Sequence, residues 1–178
     1  MYMPFHEVVE NVSTTVKQYK NSLACPVIGV MPAYFPMELI EAAGGYPVQL
    51  WGNNLQINNA NSHLQVFCCS VARSILELEL SGKADMVDAY AFTSLCDTLI
   101  NLREIYRRLF SKPTLELSMP ITQTVEARRT YLTSVLATAT QDLESITGQA
   151  ITDDSLEKAS QLYGYSRELQ RELYQIRR

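Results

Sequence analysis

Apolar residues in this chain recur at two different periods, and the switches between them mark out the elements. From Phe5 to about Tyr19 the pattern VVENVSTTVKQY is amphipathic and predicts a helix, weakened by β-branched residues that lose rotamer freedom there. VIGVM at 27–31 is a short unbroken apolar run after Pro26, which predicts a strand buried on both faces. PMELIEAAGG places Pro36 at a first helical position and Gly44–Gly45 at a stop, so a short helix is predicted between them. YPVQLW (46–51) predicts a second strand, and the polar, turn-rich GNNLQINNANS a loop. Residues 66–81, apolar at Val71, Ile75, Leu76, Leu78 and Leu80, predict a helix that stops at Gly82. MVDAYAF (86–92) is a third predicted strand, Thr93–Cys96 leads into a helix reaching about Phe110, and PTLELSM (113–119) is a fourth strand ended by Pro120.

Strand and helix therefore alternate at short spacing, the pattern of an α/β fold with a parallel sheet and helices on its faces. After Pro120 only helical periodicity remains. Residues 123–146 and 155–177 predict two long helices, joined by TGQAITDDS and expected to lie antiparallel as a pair. Gly148 is a stop signal, and Asp154 with Glu157 matches a capping arrangement for the last helix. In that helix Leu162, Ser166, Leu169, Leu173 and Ile176 recur at helical spacing. The expected organisation is an α/β half over 1–120 and a helical segment over 121–178.

Composition narrows the function classes. Hydrophobic residues make up 47% of the 178, enough for an ordinary buried core without disulfide staples. The net charge of −4, with both signs interspersed, lacks the basic surplus that a dominant nucleic-acid role would need. MYMPFHEVVENV has no basic-then-apolar layout of a signal peptide, and the apolar stretch from Ala24 to Gly45 is interrupted by three prolines and two glutamates. A cytoplasmic protein that does not cross a membrane is expected, its cysteines free, metal-binding or catalytic.

Those cysteines carry the candidate chemistry. CCSVARS (68–74) puts Cys69 where loop becomes helix, and SLCDTL puts Cys96 where the third strand's carboxyl end becomes helix. Open parallel sheets bind ligands beyond the carboxyl ends of their strands, and free amides at helix starts favour a thiolate. Two such sulfurs suit a metal or an iron–sulfur centre, which takes soft thiolate ligands. The plainer alternative is that a cysteine in an apolar segment is a small buried hydrophobe, and it is preferred for Cys25 and Cys68. Arg73, one turn after Cys69, is placed to steady a negative cluster, a phosphate or a carboxylate; an ordinary surface ion pair is the other reading. Asp97 is expected to cap its helix. His6 and His63 are isolated, no CxxC pair occurs, and neither GxGxxG nor GxxxxGK[ST] is present. A zinc site from Cys68, Cys69, Cys96 and His63 is disfavoured, because adjacent cysteines do not readily both reach one tetrahedral ion.

Three ordered motifs carry a resemblance: YFPMELIEAAG at Tyr34–Gly44, CSVARS at Cys69–Ser74 and SLCD at Ser94–Asp97. Together with the helical tail they resemble the benzoyl-CoA reductase / 2-hydroxyacyl-CoA dehydratase family over nearly the whole chain. The resemblance implies a subunit with Rossmann-like halves and a helical region, holding a [4Fe–4S] cluster on three cysteines, two of them Cys69 and Cys96. It further implies an acyl-CoA substrate, a second homologous subunit, and a separate ATP-dependent activator that supplies low-potential electrons. The family's third cysteine comes from a second α/β half with no counterpart in this sequence. The chain is accordingly expected to be the N-terminal portion of such a subunit and inactive alone. CDTLINL leans slightly towards the reductase side. A cluster-less scaffolding subunit of the same fold is the alternative.

Overall fold

The computed structural model of the protein describes residues 12–52, 56–121 and 124–177. Its elements are α1 (Val12–Leu23), β1 (Val27–Val30), α2 (Met37–Ala42), β2 (Tyr46–Gln49), a 3₁₀ turn (Asn59–Ser62), α3 (Ser70–Leu80), β3 (Ala89–Thr93), α4 (Asp97–Leu109), β4 (Thr114–Leu117), α5 (Val125–Thr147) and α6 (Asp153–Ile176). The part of the first predicted helix that precedes Val12 lies outside the described residues.

The four strands among the described residues are all parallel, in the order β2-β1-β3-β4. β1 is buried at every residue, as an unbroken apolar run should be when both sheet faces are covered. Alternation along it sorts side chains between two cores: Val27 and Met31 join the core under α1, α3 and α4, while Ile28 and Val30 join the one under α2 and α5. Tyr90 and Phe92 of β3 face the first core, where both stack edge-on against Tyr106 of α4. Ala89 and Ala91 face the second, beside Leu115 and Leu117 of β4. The predicted α/β architecture, Rossmann-like with helices on both faces, is what the chain adopts.

The two long helices differ from a self-contained antiparallel pair. α5 seats Ala139 and Leu143 in the second core and packs on β4. α6 packs along α2, and Arg167 reaches Glu38 there at 2.6 Å. Their main contacts are thus with the α/β body. Gly148 stops α5 in the left-handed conformation (φ 73°), open to a residue without Cβ.

Two caps are corrected. α6 begins two residues earlier than Asp154 and Glu157 suggest, because Thr152 is its cap: its side chain accepts from the Ser155 amide, and Ser155 Oγ accepts from the Thr152 amide. Asp97 is the first residue of α4 rather than its cap, a position taken by Cys96. Strand 3 starts at Ala89, later than expected, because Asp88 accepts from the Val27 amide and pairs with Lys20 at 2.5 Å. α3 starts at Ser70 rather than 66, since the preceding residues make a turn in which the Cys68 amide donates to the Gln65 carbonyl.

Candidate functional site at the carboxyl edge of the sheet

Cys69 and Cys96 are both helix N-caps. Cys69 (φ −58°, ψ 147°) opens α3, and its sulfur accepts from the Ala72 amide at 3.5 Å. Cys96 (φ −152°, ψ 162°) opens α4 with no side-chain cap bond. Each thiol is exposed. Both lie beyond the carboxyl ends of the parallel strands, where the amides of a helix start point outward with partial positive charge.

Cys68 is half-buried and packs against the first core. It also lines a cavity of about 460 Å³ between the 63–68 segment and α4, together with Phe67, Asp97, Asn101 and Arg108. The two thiol-bearing helix starts thus flank one cavity, through the residues next to each thiol. Cys25 stands at the opposite, amino edge, just before β1. There it lines a cavity of about 1130 Å³ with Lys20, Asp88 and Arg107, and burial pushes its thiol above the usual range. Cys25 is therefore remote from the candidate site, as its position before β1 predicts.

Arg73 is turned to the loop that leads into Cys69. Its guanidinium donates to Asn61 Oδ1 at 2.5 Å and to the Val66 carbonyl at 3.4 Å. One turn further along α3, the buried Glu77 accepts from the amides of Asn58 and Ala60 at 3.1 and 2.8 Å and from Asn59 Nδ2 at 2.9 Å. Burial alone would raise this carboxyl; the amide bonds outweigh that and hold it below its ordinary range. Glu77 was not singled out from the sequence. The signal available there was an acid within an otherwise apolar helix, facing an Asn-rich loop whose amides need acceptors.

Among the described residues no group of three or more His, Cys, Asp or Glu side chains is gathered to hold a metal ion. Tested against an iron–sulfur cluster, the donors fit in kind, since Cys69 and Cys96 are exposed sulfurs at helix starts on one sheet edge. No helix among the described residues is long and apolar enough to cross a membrane.

Comparison with known proteins adds an independent line. Residues 32–178 match the family model described as 2-hydroxyglutaryl-CoA dehydratase, D-component. The chain is 32% identical over 166 residues to the beta subunit of the (R)-phenyllactyl-CoA dehydratase of Clostridium sporogenes, covering 93% of this chain and 44% of that protein. It is 32% identical over 168 residues to one of the benzoyl-CoA reductase subunits of Thauera aromatica, covering 92% and 44% respectively. It is 29% identical over 175 residues to the beta subunit of the (R)-2-hydroxyglutaryl-CoA dehydratase of Acidaminococcus fermentans, covering 97% and 46%. The chain thus spans a little under half the length of these relatives.

Proposed function

The chain belongs to the 2-hydroxyglutaryl-CoA dehydratase D-component family, and on that premise we propose that it is the N-terminal portion of a subunit of an acyl-CoA-processing enzyme. The reaction class is 2-hydroxyacyl-CoA dehydration or benzoyl-CoA ring reduction, the activities for which its relatives are named. The observation that carries the reading is the pair of exposed thiols, Cys69 and Cys96, each capping a helix at the same edge of a parallel sheet.

In the complete enzyme these two sulfurs hold part of a [4Fe–4S] cluster, whose third cysteine comes from chain beyond the matched half. The cluster supplies one-electron chemistry at low potential, fed by an ATP-dependent activator. The residues of this chain have supporting tasks. Each sulfur stands at a helix start, and the Ala72 amide donates to that of Cys69. Arg73 adds positive charge one turn from Cys69 and braces the loop in front of it. The assembly is completed by a second, homologous subunit, and the chain alone is inactive.

Iron and acid-labile sulfide, measured after anaerobic purification of the complete subunit, test this. Cys69→Ser and Cys96→Ser should each abolish cluster retention, and Cys25→Ser should leave it intact. Equal iron in all three variants removes the ligand assignment. A colourless, iron-free parent subunit favours a scaffolding role on the same fold instead.

A further inference from the structure

The last helix carries a pattern that neither the fold nor the proposed reaction uses. Leu162, Ser166, Leu169, Leu173 and Ile176 follow one another at intervals of four, three, four and three residues. That alternation is the heptad seam of a coiled coil, with Leu162, Leu169 and Ile176 at d and Ser166 and Leu173 at a. A helix that only covers a core turns its apolar stripe to that core. In α6 the two faces differ. It meets the body through Leu156, which packs against the second core, through the buried Ala159 and through the pair of Arg167 with Glu38. These lie roughly 100° round the helix from the seam. The seam itself is open, with Leu162 53%, Leu169 47%, Leu173 56% and Ile176 80% exposed.

Past Arg167 the helix leaves the body. Every residue from 168 to 177 is exposed, over a length of about 15 Å. A free helical end gains little from propensity and is ordinarily held by packing of an apolar face. The seam is the apolar face that this end presents.

Charges beside the seam select its occupant. In a parallel pair a residue at g meets the partner's e residue five places on, whereas in an antiparallel pair g meets g. Glu172 is at g and Arg177 at e, five residues apart. The Arg177 guanidinium overlies the Tyr174 ring at 5.9 Å, and Glu172 has no ion-pair partner among the described residues. A parallel second copy of α6 sets Glu172 of each chain against Arg177 of the other, and each seam residue meets its own counterpart. An antiparallel copy packs a on d, so three d and two a residues are not all matched, and no opposite-charge pair is gained. Ser166 is a polar a position, of the kind that fixes register. Its hydroxyl is satisfied within the helix, accepting from Gln170 Nε2 at 3.4 Å.

We propose that the free end of α6 is a self-association surface, occupied by a second copy of this chain in parallel as a two-helix coiled coil. The two-fold axis runs along the seam, so the same residues face one another on both sides. This pairing is independent of the acyl-CoA reading above.

Sedimentation equilibrium of the 178-residue chain is the test. The average mass should rise from monomer towards dimer as the concentration is raised to about 0.5 mM. Leu173→Gln should weaken association by about tenfold or more, the loss of one buried leucine from each copy. It should leave the thermal midpoint of the dilute monomer unchanged, because Leu173 belongs to neither core. Glu172→Arg and Arg177→Glu should each weaken association by about threefold, and the double variant should recover it. Ile176→Cys should cross-link to the same position of the second copy on mild oxidation, as read by mass spectrometry of the joined peptide. A parent chain that stays monomeric overturns the self-pairing and gives the seam to another chain or to the remainder of the subunit. A dimer that Leu173→Gln leaves intact, or one in which position 176 fails to cross-link, overturns it as well. The acyl-CoA reading stands or falls separately from each of these results.

Discussion

Arg73 and Glu77 lie one helical turn apart on α3 and carry opposite charges, yet each turns to the loop before the helix. Arg73 holds Asn61 and the Val66 carbonyl, and Glu77 gathers the amides of Asn58 and Ala60 with the Asn59 side chain. Spacing alone would make them an ordinary i,i+4 pair. The loop offers something better, because its amides would otherwise be closed off from water without acceptors. The two residues thereby fix the path by which the chain arrives at Cys68 and Cys69.

Glu77→Ala should therefore destabilise the chain by about 2–3 kcal/mol, the range for losing hydrogen bonds to a buried charged group. Its pH dependence has a definite sign. The folded carboxyl titrates below its ordinary value of 4.5, so its contribution is complete above that value and is lost as pH falls through the folded pKa. Thermal midpoints of the parent chain and the variant, taken from pH 7 downwards, should converge at the acid end. A gap that stays constant with pH would show that the charge is not what stabilises.

The four cysteines should differ in reactivity towards a maleimide under native conditions. Cys69 and Cys96 are exposed, whereas Cys25 and Cys68 are half-buried and the Cys25 thiol is also pushed up by burial. Mass spectrometry over a labelling time course should find Cys69 and Cys96 modified first. Early modification of Cys25 would contradict the packing at the amino edge.

Gly29, in the middle of β1, leaves room for three neighbours. A Cβ there would stand 2.9 Å from Leu50 Cδ1 and 3.0 Å from both Tyr90 Cδ1 and Val87 Cγ1. Gly29→Ala should cost about 1–3 kcal/mol, the usual range for overfilling a packed core. Denaturant midpoints would measure it. Pairing it with Leu50→Val should recover part of the loss, since the nearest clash is removed.

Tyr106 links the first core to α3. Its ring meets Tyr90, Phe92 and Phe110 edge-on, and its hydroxyl donates to the Ile75 carbonyl at 3.1 Å. Tyr106→Phe keeps the rings and should cost about 1 kcal/mol for the hydrogen bond. Tyr106→Ala should cost about 3–5 kcal/mol, because a cavity is added. By contrast Arg167→Ala, which breaks a largely exposed ion pair with Glu38, should change stability by at most about 1 kcal/mol.

Much of this was legible along the chain, for a physical reason. A strand buried on both faces must be apolar at every position, so VIGV announces itself, and helix periodicity with Gly148 as a stop marks α5. The two helix-start thiols followed from the same pattern, because the strand-to-helix switch places them at one edge. Local pattern could not say which residue caps a helix when several polar ones compete. Thr152 wins over Asp154 because its partner Ser155 returns the hydrogen bond.

By itself the sequence determined the alternation of strand and helix, the parallel sheet and the edge that carries Cys69 and Cys96, since these depend on short-range periodicity and burial. Tertiary structure alone decided the strand order β2-β1-β3-β4, the seating of α5 and α6 on the body, and the turning of Arg73 and Glu77 towards the loop. It alone revealed that the Thr93 hydroxyl has no partner among the described residues and that Ala33 and Tyr34 are a left-handed pair. Each of these is set by a contact between residues distant along the chain, or by a backbone conformation that such contacts impose, and neither leaves a periodic trace in the sequence.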